Sequence, residues 1–174
     1  MTQEVTRDLA ALAMPAATKL KTAGQTIAVA ESSTAGLISA CLVAVAGASR
    51  YYRGGSVIYT LESRRELLGI RRADVAGLDP MTEAMVERFA SKAREQLDAT
   101  WGIAELGIAG PTPAGSYGVP AGRSVIAVSC AVSCAAACGG KTLTTSVDTG
   151  HNNREENMWA FTAAAFQLLD QALR

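Results

Sequence analysis

The order of apolar and polar positions divides the chain into short apolar runs and longer amphipathic stretches. The stretch 2–23 places one apolar residue on nearly every helical turn, which predicts an amphipathic helix. Pro15 lies inside this stretch, so we expect a kink or break near Met14, and Gly24 is a suitable C-terminal cap.

Five runs rich in apolar and β-branched residues predict strands at 26–30, 53–60, 105–110, 124–131 and 141–148. The segments between and after them predict helices at 36–45, 62–68, 82–99 and 153–173, with Thr82 as an N-cap.

This alternation predicts an α/β fold, a three-layer α/β/α sandwich with a mixed, mostly parallel five-stranded sheet. The last two strands are joined by a short turn at Gly139-Gly140, so we expect an antiparallel hairpin there. We predict a single domain over residues 1–174. Ligands of such sheets bind at the carboxyl ends of the strands, where the loops 31–36, 60–64 and 110–122 emerge.

Charge and composition narrow the function classes. Sixteen basic residues balance sixteen acidic ones, and 49% of the chain is hydrophobic. The balance provides no basic stripe for a nucleic-acid backbone, so we expect no nucleic-acid partner. The N-terminus does not resemble a signal peptide, and the longest apolar stretch, 125–138, is too short to cross a bilayer. These features predict a cytoplasmic protein without a membrane partner.

The chain has four cysteines, at positions 41, 130, 134 and 138. The spacing of the last three is not that of a zinc site, and His151 is the single histidine. We therefore predict small buried thiols, no disulfide and no metal ion.

The segment Glu31-Ser32-Ser33-Thr34-Ala35-Gly36, here called the hydroxyl turn, joins a predicted strand to a predicted helix. Such a turn places hydroxyl and backbone N–H groups at a helix N-terminus, where an anion or a developing oxyanion is stabilised. The same residues are equally suited to capping the helix, and the turn alone does not decide between these interpretations.

Four patterns follow one another along the chain: AESSTAG at 30–36; GGSVIYT at 54–60 with Arg64 and LLGI at 67–70; GIAGP at 107–111; and Gly150 with Arg-Glu-Glu at 154–156. Together they resemble the C-terminal domain of the CinA competence/damage-inducible family over almost the whole chain. Stand-alone members of that family include nicotinamide mononucleotide deamidases. The longer CinA proteins carry a separate N-terminal domain, whose activity we do not expect here.

The resemblance implies hydrolysis of the carboxamide of nicotinamide mononucleotide to nicotinic acid mononucleotide and ammonia, without a cofactor. It implies catalytic roles for Ser32 and Tyr59, and Arg64 occupies the position of the third catalytic residue of the family. The residues predicted to bind the nucleotide are Glu31, Ser33, Thr34, Gly36, Gly55, Gly110 and Arg154. In the 107–111 pattern, glycine favours a close approach of the backbone to a ligand. The alanine-rich helices and the apolar last helix favour a homodimer.

Arg64 is the main departure from the family, which has a lysine at this position. Arginine stays protonated and cannot act as a base, although it can hold a phosphate. His151 is an alternative base. Two other interpretations therefore stay open beside the amidohydrolase: a nucleotide-binding paralogue with little catalysis, and a structural or interaction module.

Overall fold

A computed structural model describes residues 7–113, 118–131 and 139–174. The helices are α1 (Leu9–Ala23), α2 (Leu37–Ala44), α3 (Leu61–Leu68), α4 (Glu83–Gln96) and α5 (Arg154–Ala172), with 3₁₀ turns at Ala48–Arg50 and Arg72–Val75. The strands are β1 (Ile27–Glu31), β2 (Tyr52–Val57), β3 (Trp101–Ile108), β4 (Arg123–Cys130) and β5 (Thr142–Asp148).

The five strands form one sheet in the order β2-β1-β3-β4-β5. β1 is parallel to both β2 and β3, whereas β4 is antiparallel to both β3 and β5. Four strands thus share one direction, which confirms the mixed, mostly parallel sheet and the predicted hairpin. The antiparallel pairing of β3 with β4 was not predicted.

The sheet is covered on both faces, and alternation along the strands assigns side chains to the two cores. Ile27 and Val29 of β1 pack into the core beneath α1, α2 and α5, whereas Ala28 and Ala30 pack beneath α4 and the end of α3. β1 is buried throughout, as expected of a strand covered on both faces. This arrangement is the predicted three-layer sandwich.

Side chains cap most helices. Asp8 accepts from the Ala11 N–H at the start of α1. Thr82 accepts from the Met85 N–H at the start of α4, which confirms Thr82 as the predicted N-cap. A kink or a break was predicted near Met14, and the break is wrong, because α1 continues through Pro15. Buried Ala13, Ala16, Ala17 and Leu20 pack α1 onto the core, and proline removes a single helical hydrogen bond.

β3 begins at Trp101, four residues before the predicted start. Gly102 has no side chain, so the first residues of β3 do not show the apolar pattern that predicts a strand. A Cβ atom there would lie 2.0 Å from the Ala90 carbonyl oxygen, so α4 packs directly on the β3 backbone. Within the described ranges, no helix is long and apolar enough to cross a membrane.

Candidate functional site

The carboxyl ends of β2, β1 and β3 lie side by side at one edge of the sheet. Glu31 is level with Val57 on one side and with Glu105 on the other. Pairing continues one residue further, because the Ile58 N–H donates to the Glu31 carbonyl at 2.9 Å and the Ser32 N–H donates to the Glu105 carbonyl at 3.1 Å. The hydroxyl turn therefore starts between the ends of two neighbouring strands.

Glu31 is fully buried, and its carboxylate caps α2. It accepts from the Ile38 N–H at 3.0 Å, the Ser39 N–H at 3.1 Å, the Ser39 hydroxyl at 2.7 Å and the Thr34 hydroxyl at 2.8 Å. A carboxylate at a helix N-terminus is stabilised by the helix dipole. The N-terminus of α2, where an anion was predicted, is thus capped by the protein's own carboxylate, and ligand binding by Glu31 stays a prediction.

Glu105 in β3 is a second fully buried carboxyl group beneath the turn. Its Oε2 accepts from the N–H groups of Ser32 and Thr34 at 3.2 and 3.1 Å. Its Oε1 accepts from the hydroxyls of Ser33 at 2.5 Å and Ser124 at 2.9 Å. Glu105 therefore holds the backbone of the hydroxyl turn in place.

Thr34 connects these two acids, here called the buried carboxylate pair. Its hydroxyl lies 2.8 Å from Glu31 Oε2 and 3.2 Å from Glu105 Oε2, yet it has one proton to donate. Burial raises the pKa of Glu105, and the hydrogen bonds from Ser33, Thr34, Ser124 and Ser32 offset part of that rise. A protonated Glu105 can donate to Thr34, which then donates to Glu31.

The hydroxyls of Ser33 and Thr34 are thus bonded to the acids beneath the turn, and substrate binding by these two residues stays a prediction. Gly107 belongs to the same packing, because a Cβ atom there would lie 2.3 Å from Ser33 Oγ and 2.4 Å from Glu105 Oε1. At Gly107, the first glycine of the 107–111 pattern, the backbone therefore packs closely against the protein's own polar groups.

Ser32 is the hydroxyl residue of the turn that is not engaged below it. It is 4% exposed, and its hydroxyl makes no hydrogen bond among the residues that the structure describes. Neither a histidine nor a lysine is bonded to it there. Ser32 is held by its backbone and keeps its hydroxyl available.

Tyr59, Gly110 and Arg154, three predicted site residues, meet above this edge. Arg154 Nη2 donates to the Tyr59 hydroxyl at 2.8 Å, and Arg154 Nη1 donates to the Gly110 carbonyl at 2.6 Å. Tyr59 follows β2 and Gly110 follows β3, so Arg154 spans the end of the strand between them, β1, which Ser32 follows. We call this arrangement the Tyr59 bridge. Tyr59 is 54% exposed, so it faces solvent beside the turn.

Asn157 holds the loop that carries Gly110. This role of Asn157 was not predicted from the sequence. It is fully buried one helical turn after Arg154 begins α5, and its side-chain amide donates to the carbonyls of Ala109 at 2.8 Å and His151 at 3.0 Å. Its position explains why Gly110 and Arg154 stay together. Glu105 was missed as well, although an acid between Ala104 and Leu106 in a strand pattern is a signal that sequence reasoning can use.

Arg64 lies against α4. It is half-buried, its Nε donates to the Ile58 carbonyl at 3.4 Å, and its guanidinium lies 5.5 Å from the centre of the Phe89 ring. Its guanidinium thus packs over α4, and a catalytic role for Arg64 stays a prediction.

The remaining predicted residues have separate positions. Gly36 precedes α2 with φ 101°, in the left-handed region that favours glycine. A Cβ atom at Gly55 would lie 2.8 Å from Ser39 Oγ, so glycine makes room there for the protein's own side chain. His151 is exposed in the loop between β5 and α5.

The cysteines differ from one another. Burial, with smaller effects of the Glu31 and Asp8 charges, raises the pKa of the Cys41 thiol to about 12, so this is an inert buried thiol as predicted. Cys130 is disulfide-bonded, which corrects the expectation of no disulfide. That expectation depended on the compartment, whereas bonding depends on proximity in the fold. Cys134 and Cys138 lie outside the described residues. Among those described, no group of three or more His, Cys, Asp or Glu residues is arranged to hold a metal ion.

Curated relatives are similar to this chain in sequence. A CinA-like protein of Acaryochloris marina is 39% identical over 110 residues, covering 63% of this chain and 26% of the relative. A putative competence-damage inducible protein of Streptococcus agalactiae is 32% identical over 154 residues, covering 88% of this chain and 34% of the relative. The chain thus spans about a quarter to a third of the length of these relatives.

Solved structures share the fold. The competence damage-inducible protein A (ComA) of Klebsiella pneumoniae superposes with a TM-score of 0.82 at 26% identity, covering 96% of this chain and 98% of that one. The competence/damage inducible protein CihA of Agrobacterium tumefaciens gives 0.83 at 25% identity, covering 99% and 100%. The family pattern of the CinA C-terminal domain matches residues 9–173, so this chain belongs to the CinA C-terminal domain family.

Proposed function

We propose that this chain is a metal-independent amidohydrolase that releases ammonia from the carboxamide of nicotinamide mononucleotide. The observation that carries the proposal is the Tyr59 bridge, in which Arg154 joins Tyr59 and Gly110 across the end of β1, the strand that Ser32 follows. The family resemblance supplies the substrate, and the geometry supplies groups suited to it.

The reaction needs a nucleophile, a proton path and a donor for the oxyanion. In our proposal the Ser32 oxygen attacks the carboxamide carbon, ammonia leaves, and water hydrolyses the resulting ester. Tyr59 accepts its hydrogen bond from Arg154, so its own O–H remains available to donate to the reacting amide and to relay protons. Arg154 contributes a positive charge that can bind the substrate phosphate or stabilise the developing oxyanion.

The buried carboxylate pair supports this chemistry without touching the substrate. Hydrogen bonds from Ser32 and Thr34 to Glu105 fix the turn backbone, so Ser32 keeps one position. A nucleophile held this way is positioned before the substrate arrives, which lowers the entropic part of the barrier.

Ammonia release from nicotinamide mononucleotide by the purified chain tests the proposal. Ser32→Ala is expected to abolish release, and Arg154→Lys, which cannot join both Tyr59 and Gly110, to reduce it strongly. Ser49→Ala, which alters a serine in another loop, is the matched control and should retain full activity. No release by the unsubstituted chain at high enzyme concentration would refute the proposal.

A nucleotide-binding protein with little catalysis is the second candidate. It is favoured by one observation, that Ser32 has no base bonded to it in the described residues while Arg64 lies over Phe89. Calorimetric titration with nicotinamide mononucleotide separates the candidates, because tight binding without ammonia release fits only the second. If Arg64→Lys then gained activity, the arginine would be the cause of the loss.

A further inference from the structure

A cavity of about 630 Å³ opens beside α3 and α4, at the end of β3, and the proposed reaction does not use it. Its volume lies within the range of pockets that hold organic ligands. Ser32, Tyr59 and Arg154 are not among its lining residues. It adjoins their site through Leu61 and Arg64, which follow Tyr59 along the chain.

One wall of the cavity is apolar and belongs to the core. Ile70, Met85, Phe89 and Leu106 line it, and each is at most 7% exposed. This wall has rigid packing behind it, because the same side chains form the core beneath α4. It presents hydrocarbon and an aromatic ring to whatever enters.

The other wall carries four arginines, at positions 64, 65, 71 and 72, and we call the whole space the arginine cavity. The described lining contains no acidic side chain. The acids that contact these arginines lie outside it: Glu66 is 2.8 Å from Arg65, and Asp74 is 3.6 Å from Arg71. Both ion pairs are largely exposed, and such pairs contribute little, so the two arginines can turn to a ligand at small cost.

The chemistry of the two walls defines the ligand. Apart from guanidinium groups, the described side chains of the lining are hydrocarbon, aromatic or thioether, so a neutral sugar or peptide finds few partners there. Guanidinium groups bind phosphate oxygens in pairs, and four of them suit more than one phosphate. A cationic nicotinamide ring would be repelled, which distinguishes this ligand from the proposed substrate.

We propose that the arginine cavity binds a nucleoside di- or triphosphate, with the base against the apolar wall and the phosphates on the arginines. Binding does not require turnover at Ser32. Because Arg64 and Leu61 line the cavity and follow Tyr59 along the chain, the bound nucleotide would lie next to the proposed amide-hydrolysing site.

Isothermal calorimetry with ADP, AMP, adenosine and inorganic pyrophosphate tests this assignment. We expect ADP to bind, AMP to bind more weakly, and adenosine and pyrophosphate each to lose at least tenfold in affinity relative to ADP. Arg71→Ala/Arg72→Ala should weaken ADP binding at least tenfold. The control Arg53→Ala/Arg123→Ala removes the same charge from exposed positions elsewhere and should change it less than twofold.

No ADP binding, or equal losses in the two double variants, would overturn the site. Pyrophosphate binding as tightly as ADP would overturn the role of the apolar wall. Ser32→Ala should bind ADP normally, so failure of the amidohydrolase proposal and failure of this one give different results. Circular dichroism of each variant verifies that the fold is retained.

Discussion

The buried carboxylate pair and the Tyr59 bridge lie at the same strand ends but are built in opposite ways. Glu31 and Glu105 are fully buried, and each accepts several hydrogen bonds from the protein itself. Tyr59 is exposed and accepts a hydrogen bond from Arg154. Polar residues of one edge therefore divide between a hydrogen-bonded framework and the proposed site.

The difference predicts that changes to the buried region affect stability first, whereas changes to the bridge affect activity first. The largest loss is expected for Glu105→Ala, which leaves the Thr34 N–H and the Ser33 hydroxyl without their carboxyl acceptor, while the Ser32 N–H keeps the backbone carbonyl of residue 105. Each buried donor so orphaned costs about 1–3 kcal/mol, so the free energy of unfolding should fall by about 2 kcal/mol or more. Urea unfolding measures it, with Glu105→Gln, which keeps one acceptor, as the milder control. A loss below about 1 kcal/mol would contradict the framework role.

A smaller loss is expected for Gly107→Ala, because the new methyl group would press on Ser33 Oγ and Glu105 Oε1. Overpacking of this kind costs about 1–3 kcal/mol. Gly150→Ala is the control: its Cβ atom meets nothing within 4 Å, and only its φ of 72° opposes the change. Thermal unfolding should show the greater loss at Gly107, and equal losses would argue against tight packing at the carboxylates.

The pH dependence of stability should report the proton on Glu105. Burial raises its pKa in the folded protein, so the stability from its neutral form is complete below the unfolded pKa and is lost as pH rises through the folded value. The window begins near pH 4.5, the ordinary pKa of a glutamate side chain, and the slope is at most about 1.4 kcal/mol per pH unit. Unfolding curves from this pH upward should show the slope in the unsubstituted chain and a smaller one in Glu105→Gln. Identical slopes would mean that Glu105 does not titrate there.

The smallest effect on stability is expected for Tyr59→Phe, since an exposed hydroxyl is removed and the change should lie within about 0.5 kcal/mol. Ammonia release should nevertheless fall about 100-fold if Tyr59 transfers protons. Full activity in this variant would remove Tyr59 from the mechanism. If Tyr59→Phe lost as much stability as Glu105→Ala, the two regions would not differ in the way described.

Sequence reasoning located this edge of the sheet because its signals are local. A strand pattern followed by Glu31-Ser32-Ser33-Thr34 and another followed by Tyr59 place polar groups at strand ends, whatever the rest of the chain does. It assigned Glu31, Ser33 and Thr34 to a ligand because the orientation of the turn depends on Glu105, which lies in another strand far along the chain. The contact of Arg64 with Phe89 was beyond sequence reasoning for the same reason, since Phe89 belongs to another helix.

By itself the sequence determined the α/β order, most of the element bounds, the family and the edge that carries the polar residues, because periodicity, caps and motifs are properties of short segments. The tertiary structure alone decided the antiparallel β3–β4 pairing, the capping of α2 by Glu31, the burial of Glu105 and the meeting of Tyr59 with Arg154. Most of those features join residues far apart in the chain, and their energies depend on burial and on which donor meets which acceptor.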